Sequence, residues 1–193
     1  GSIAPISNTG SPLLFIHGVA TSGEMWSADL MELAAEFRLI VYNRRGYGAS
    51  SSSSRNWARH AEDSIALIER LNAAPANIVG YSGGAIIALD VVLNRPDLVA
   101  RLILLDPACN LKRCLTPGLV GTLAGVKLLR WHGRDRAAAE RWLRYISSYP
   151  TGRSGFETKA SEARREQLLA NAGGLFADLA SGAGAIDENL LSN

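Results

Sequence analysis

The sequence predicts an α/β fold in which a parallel sheet has helices on both faces. Short apolar runs recur through residues 10–107, most of them end at turn-forming residues, and segments with helical periodicity separate them. Apolar runs of this length are typical of strands that are buried on both faces of a sheet. A helix-length crossover between two such strands makes them parallel.

Composition limits what kind of protein this is. The chain has 193 residues, 47% apolar and 20% charged, which excludes intrinsic disorder and favours one packed domain. A formal net charge of +2 is too small to indicate a nucleic-acid partner. The sequence contains neither an apolar run long enough to span a membrane nor a signal-peptide pattern, so we expect a cytoplasmic protein with no membrane partner.

Four apolar runs predict the strands, and three helical segments accompany them. The strand runs are residues 13–16, 38–42, 77–81 and 102–105. Thr21 and Glu24 have the spacing of a capping box at the start of the first helix. The second helix is expected at residues 57–71, and the third, at 85–93, is almost wholly apolar and should be buried. The serine run at 50–54 predicts an exposed loop.

The alternation of strands and helices stops after residue 107. Residues 117–191 have apolar positions at helical spacing, interrupted by Gly and Ser at 151–155 and 181–184. Aromatic residues at this spacing are more typical of a core than of a ligand pocket; they are Trp131, Trp142 and Tyr145. Cys109 and Cys114 have no third ligand nearby, which argues against a metal site. Free thiols are favoured, and a local disulfide is the alternative. No nucleotide-binding loop is present, so we expect no cofactor.

The strongest functional pattern is Gly80-Tyr81-Ser82-Gly83-Gly84. A predicted strand precedes it and an apolar helix follows it, which is the context that the G-x-S-x-G motif requires. The serine then lies on a sharp turn above the helix N-terminus, whose dipole favours developing negative charge. Glycines at the flanks let strand and helix approach closely. We predict that Ser82 is a nucleophile; the alternative is a purely structural turn.

A second pattern, His17-Gly18-Val19, closes the first predicted strand. In this architecture a backbone N–H just after that strand helps to hold the oxyanion. The predicted oxyanion donors are therefore the N–H groups of Val19 and Gly83. The alternative is that His17-Gly18 only forms the turn. His17 itself is expected to be structural, packed and hydrogen-bonded near the loop.

Together these segments resemble the α/β-hydrolase superfamily. The matching segments are residues 15–18, 42–50, 80–84 and 102–107, in family order. The resemblance implies an α/β-hydrolase-type core over residues 1–107 and a helical cap over residues 108–193. Asn43 stands where the family often has Asp, a change outside the catalytic triad that is expected to cost little.

The resemblance also implies a departure at the C-terminus. Family members continue after the cap with two further strands that bring the catalytic acid and histidine, and residues 186–191 resemble the segment before them. We therefore expect the C-terminal part of the core to be absent from this chain. A second chain, a stretch beyond a gap, or residues lost by truncation would complete the sheet; the alternative is a natural partial hydrolase without activity. Without that segment, the strand at 102–105 would be a bare apolar edge.

None of the three histidines is assigned as the catalytic base. His60 lies on the polar side of its predicted helix, His132 lies in the cap, and both are expected at the surface. Asp106 ends the strand next to the nucleophile strand, where some family members place their acid. A strand-end or capping role is favoured for it.

The predicted reaction is hydrolysis of an ester, lactone or thioester of a small molecule. Ser82 attacks the carbonyl, and a histidine from outside the chain takes its proton. Serine at this position argues against dehalogenase and epoxide hydrolase chemistry, in which the family uses Asp. C–C bond hydrolysis, perhydrolysis and cyclisation stay open, as does a non-catalytic protein that binds a ligand between core and cap.

Overall fold

Five strands form one sheet in the first half of the chain. The computed structural model describes residues 3–5, 10–26, 30, 32–50, 56–107, 116–149 and 152–181. The sheet order is β1-β3-β2-β4-β5, and β2 to β5 are parallel, as predicted. The short β1 pairs antiparallel with β3 and was not expected from the sequence pattern. The strands are β1 (Ile3–Pro5), β2 (Ser11–Ile16), β3 (Phe37–Tyr42), β4 (Ala76–Tyr81) and β5 (Val99–Leu105).

Two α-helices cover one face of the sheet. They are α1 (Ala58–Arg70) and α2 (Gly83–Asn94), close to the predicted second and third helices. Alternate strand residues point toward these helices and form a cluster with them that includes Leu14, Ile40 and Ile78. The intervening residues, among them Phe15 and Leu39, pack on the opposite face with Leu30 and Trp26. β2, β3 and β4 are thus buried on both faces, as their apolar runs predicted, whereas most of β5 is exposed.

The helix predicted after Thr21 is wrong for the described residues. Only two short 3₁₀ turns are present there, Gly23–Trp26 and Leu33–Ala35. The Thr21 hydroxyl donates to the Gly18 carbonyl instead of capping a helix. The Gly23 N–H donates to the Asn43 side chain. The first bond is local and the second is tertiary, and both hold this segment in a loop rather than a helix.

Residues 116–149 and 152–181 form five helices, here called the helical region. Thr116 caps the first of them by accepting a hydrogen bond from the Leu119 N–H, and Pro117 follows it at the first helical position. The expected helical character is confirmed for the described residues of 116–181. The helices are α3 (Pro117–Trp131), α4 (Asp135–Ile146), α5 (Gly155–Thr158), α6 (Glu162–Ala170) and α7 (Ala172–Ala180).

The helical region has its own apolar core, and this core contacts the loop after β2. Trp142, Leu143 and Leu175 are buried in it, together with Ala20. Trp142 therefore follows the core prediction. Trp131 does not: its side chain is 84% exposed, because it occupies the outer side of the end of α3.

β5 is an edge strand of the described sheet, as expected. Three consecutive apolar side chains on it are between 37% and 49% exposed: Ile103, Leu104 and Leu105. An apolar edge of this kind invites pairing with another strand.

Within the described ranges, no helix is long and apolar enough to cross a membrane. Several sequence predictions lie outside the described residues: Cys109, Cys114, serines 51–54 and the segment 186–191.

Candidate active site

Ser82 lies on the turn between β4 and α2, in a backbone conformation that few residues adopt. Its φ is +52° and its ψ is −117°, so it is outside the regions that are comfortable for a residue with a side chain. The Ser82 N–H donates to the Leu105 carbonyl at 2.9 Å, which ties the turn to β5. Its hydroxyl caps no helix N–H. Strain of this kind persists only where the surrounding structure enforces it.

Three glycines allow the close packing around this turn. A Cβ on Gly80 would lie 2.6 Å from the Ala85 Cα, and one on Gly84 would lie 2.6 Å from the His17 carbonyl oxygen. A Cβ on Gly18 would lie 3.2 Å from the Ser82 Cβ. The first two separations are shorter than real Cβ atoms show, and the third is tighter than nine in ten real Cβ contacts. The absence of a side chain therefore lets β2, β4 and α2 meet next to Ser82.

The structure brings the two predicted oxyanion donors together. A Cβ on Gly83 would lie 2.8 Å from the Val19 Cγ2 and 3.6 Å from the Val19 nitrogen. Gly83 is the first residue of α2, where the N–H groups have no partner within the helix. The Val19 backbone therefore lies beside Gly83, the residue that follows Ser82. Their roles as donors stay predictions.

The Gly18 carbonyl has three donors, all from the protein interior. They are the His17 Nδ1 at 2.9 Å, the Thr21 hydroxyl at 3.0 Å and the Arg44 Nη2 at 3.1 Å. Ala20, two residues further on, has a φ of +62°, which few residues with a side chain adopt. The three hydrogen bonds to the Gly18 carbonyl hold the loop in this conformation.

His17 is structural, as expected. The Arg44 N–H donates to its Nε2 at 3.0 Å, so the proton of the neutral ring is on Nδ1, which donates to the Gly18 carbonyl. Burial and the adjacent Arg44 charge lower the pKa of His17 well below its usual value. With both nitrogens occupied, this ring cannot serve as a base for Ser82.

A buried charge cluster lies behind this loop, centred on Asp178 of α7. Its Oδ2 accepts from the Arg44 Nη2 at 2.9 Å and from the Tyr47 hydroxyl at 2.6 Å, and its Oδ1 accepts from the His60 Nε2 at 3.0 Å. All four side chains are buried. Burial alone would raise the pKa of Asp178, but the Arg44 charge and the hydrogen bonds from His60 and Tyr47 outweigh it and lower the pKa. Asp178 is therefore ionised at neutral pH.

The prediction that His60 lies at the surface is wrong. It is 2% exposed, because α7 covers the side of α1 that the sequence pattern marks as polar. Burial lowers its pKa despite the bond to Asp178, so the ring is neutral near pH 7. Its Nδ1 has no hydrogen-bond partner. His132 is exposed, as predicted.

No catalytic base adjoins Ser82 in the part of the chain that the structure describes. None of the described side chains hydrogen-bonds to the Ser82 hydroxyl. Asp106 is exposed at the end of β5 with a φ of +46°, which fits the favoured strand-end role. Nor do the described residues contain a group of three or more His, Cys, Asp or Glu arranged to hold a metal ion.

Asn43 performs a structural task that an aspartate could not perform in full. Its Oδ1 accepts from the Gly23 N–H at 2.6 Å, while its Nδ2 donates to the Glu24 carboxylate at 3.2 Å. An aspartate would keep the first bond but would place a second negative charge beside Glu24. The pairing of Asn43 with Glu24 accounts for the amide at this position.

Sequence reasoning missed Arg44 and Asp178. The only local signal for Asp178 is a single acidic residue within the otherwise apolar α7. Arg44 carries no signal of burial, because it lies between polar and turn residues. Their contact joins positions 134 residues apart, which no local pattern reveals.

A serine on a strained strand-to-helix turn of a parallel sheet, facing a loop after the first parallel strand, defines the α/β-hydrolase class. The chain belongs to the family described as alpha/beta hydrolase fold, whose model matches residues 11–146.

Individual relatives agree with this assignment. BpoC of Mycobacterium tuberculosis, named as a candidate non-heme bromoperoxidase, is 36% identical over 110 residues, covering 55% of this chain and 42% of BpoC. The (E)-2-((N-methylformamido)methylene)succinate hydrolase of Acinetobacter baylyi is 27% identical over 166 residues, covering 76% of this chain and 63% of the enzyme. The matches thus span roughly half of each curated relative's length. An α/β hydrolase from Sphaerobacter thermophilus superposes with a TM-score of 0.77 at 20% identity, covering 98% of this chain and 72% of that one.

Proposed function

We propose that this protein is a serine hydrolase acting on a carboxylic ester, lactone or thioester of a small molecule. The conformation of Ser82 carries the proposal: a non-glycine residue at φ +52° between β4 and α2, packed among glycines. A turn with no chemical task would not need a side chain in this conformation, because glycine would adopt it without strain. The likeness to proteins that are named as hydrolases supports the same reading.

The proposed reaction proceeds in two steps. The Ser82 oxygen forms a bond to the carbonyl carbon while a histidine takes its proton, and the N–H groups of Val19 and Gly83 stabilise the oxyanion. The bond to the leaving alcohol or thiol then breaks, and the histidine returns the proton to it. Water attacks the acyl-enzyme in the same way and releases the acid.

In this proposal the base comes from a segment outside the 193 residues, which also pairs with β5. The described histidines are engaged elsewhere or exposed, and β5 presents half-exposed apolar side chains at the sheet edge. A strand added beside β5 would cover this edge and end near Ser82, because parallel strands finish at the same side of a sheet.

The helical region is proposed as a cap over the site. Its apolar core includes Ala20 and contacts Val19, which places it against the loop that carries a proposed oxyanion donor. A small-molecule substrate would bind between this region and Ser82.

The similarity to BpoC favours perhydrolysis as a second candidate, in which hydrogen peroxide replaces water in the second step.

Labelling of Ser82 tests the proposed nucleophile. The protein with its complete catalytic machinery should react with a fluorophosphonate probe and hydrolyse p-nitrophenyl esters. Ser82→Ala should abolish labelling and ester hydrolysis. The control is Ser148→Ala, which removes an exposed hydroxyl just after α4 and should leave labelling and hydrolysis unchanged. Peracid formation in the presence of hydrogen peroxide would favour the second candidate. Labelling that survives in Ser82→Ala would show that another residue is the nucleophile.

The 193-residue chain by itself should show almost no turnover, because a hydroxyl without a base is a poor nucleophile. Loss of triad members typically leaves only about 10³–10⁴-fold acceleration over water. Ester turnover by this chain alone, at the rate of an intact esterase and dependent on Ser82, would contradict the proposed source of the base.

A further inference from the structure

The direction of the Val19 N–H is set by the carbonyl of the residue before it. The Gly18 C=O and the Val19 N–H belong to one planar trans peptide, so they point in opposite directions. The Gly18 oxygen is drawn inward by His17, Thr21 and Arg44. The Val19 N–H must therefore point outward, away from these donors. A side chain that hydrogen-bonds to the Gly18 oxygen therefore also fixes the direction of the Val19 N–H.

Two of the three donors are local and one is remote. His17 and Thr21 lie in the same loop as Gly18, whereas Arg44 reaches it from the loop after β3. The Arg44 Nη2 that donates to Gly18 also donates to the Asp178 Oδ2 at 2.9 Å. Arg44 is fully buried, and its Nε and Nη1 have no hydrogen-bond partners. Asp178 is the carboxylate that ion-pairs with it.

Tyr47 makes a parallel connection to the other side of Val19. Its hydroxyl donates to the same Asp178 Oδ2 at 2.6 Å and accepts from the Ala20 N–H at 3.4 Å. Ala20 is held at φ +62°, a conformation that costs free energy without support. The peptide group before Val19 is therefore linked to the Asp178 Oδ2 through Arg44. The peptide group after Val19 is linked to the same oxygen through Tyr47.

We propose that Asp178 is a positioning residue that orients the oxyanion hole through Arg44 and Tyr47. This inference rests on the proposed serine hydrolase function. Asp178 lies in the helical region, whereas Val19, Gly83 and Ser82 lie in the sheet portion. Under this proposal, the catalytic rate at Ser82 depends on α7 being packed so that Asp178 contacts Arg44 and Tyr47.

Kinetics of Asp178→Asn in the intact, active protein test this proposal. The amide cannot balance the Arg44 charge, so the hold on Gly18 should loosen. Misplacement of a catalytic group by about 1 Å costs about 100-fold in rate, so we expect kcat to fall by about 10- to 100-fold. KM should change by less than about 3-fold, since the Val19 N–H acts mainly in the transition state. Tyr47→Phe should lower kcat by a smaller factor.

The matched control is Asp63→Asn. Asp63 pairs with Arg45, the neighbour of Arg44, but this pair is partly exposed and does not reach Gly18. It should leave kcat unchanged. Because Asp178→Asn risks misfolding, a second variant combines Arg44→Met with Asp178→Leu. Replacing a buried ion pair with apolar residues is often neutral for stability. Leucine at 178 also leaves the buried donors of His60 and Tyr47 unpaired, so this variant should melt below the parent temperature, and it should still have the low kcat.

The outcomes separate the two proposals. A parent protein without Ser82-dependent turnover refutes the proposed function. Turnover in the parent with full kcat in a folded Asp178→Asn or double variant refutes the positioning role and leaves the pair structural. Hydrogen exchange at the Ala20 amide is independent of activity. It should be about 10-fold faster in Asp178→Asn than in Asp63→Asn, and equal rates would overturn the inference.

Discussion

Gly84→Ala should destabilise the protein, because α2 has no room for a methyl group at this position. The new Cβ would lie 2.6 Å from the His17 carbonyl oxygen and nearer still to that of Ile16. Both contacts are with backbone at the end of β2, which cannot rotate away as a side chain would. To reach ordinary contact at 3.4 Å, α2 and β2 must separate.

Overpacking of this kind typically costs about 1–3 kcal/mol of unfolding free energy. For a domain of this size, each kcal/mol shifts the melting temperature by about 2–4 °C, so we expect a decrease of about 2–12 °C. The separation would also displace His17 and Gly18, and with them Val19. Ester turnover should therefore fall as well.

Gly121→Ala is the matched control, since it makes the same substitution within α3. A Cβ at Gly121 meets no atom within 4 Å. The gain in helix propensity should stabilise the protein by about 0.5–1 kcal/mol. Thermal unfolding of both variants, followed by circular dichroism, checks the prediction. A Gly84→Ala variant that melts at or above Gly121→Ala would refute the close packing of α2 on β2.

Two further predictions concern pH and the sheet edge. Burial lowers the pKa values of His17 and His60, so below about pH 6.5 the unfolded chain binds more protons than the folded one. The free energy of unfolding should then fall by up to about 1.4 kcal/mol per pH unit for each histidine. Urea denaturation from pH 8 to 5 should show this slope, and it should be shallower in His60→Gln; an equal slope would exclude a contribution from His60. At β5, Ile103→Lys should reduce self-association of the 193-residue chain in light scattering, because a charge on an apolar edge opposes strand pairing; undiminished association would place the contact elsewhere.

The elements around Ser82 could be predicted because their signals are local. The apolar run of β4, the glycines and the apolar α2 are contiguous in the sequence, and the motif that they form specifies its own surroundings. The strand bounds were wrong by only a few residues, since turn residues end the apolar runs. The sequence was therefore sufficient to predict the strand-to-helix turn at Ser82 and the proximity of Val19 to Gly83, whose catalytic roles stay predictions.

The charge cluster could not be predicted, because its partners are joined only by the tertiary fold. Helical periodicity predicted that His60 lies on the polar side of α1 and is exposed. That side is covered by α7, whose Asp178 bonds to His60. The first predicted helix failed for a related reason: the Asn43 side chain, 20 residues away, accepts the Gly23 N–H within the segment where that helix was expected. In each case a long-range hydrogen bond overrode a local preference.

The Arg44–Asp178 pair limits how freely the helical region can be exchanged during evolution or protein engineering. If a helical segment from another protein replaced α7 and lacked the acid, Arg44 would remain buried with an uncompensated charge, a change that typically costs about 3–5 kcal/mol. Arg44 would then have to be replaced at the same time, and the Gly18 carbonyl in the loop after β2 would lose one of its three hydrogen-bond donors. The two parts of this chain are therefore not independent modules. A viable chimera must inherit the arginine and the aspartate together or replace both.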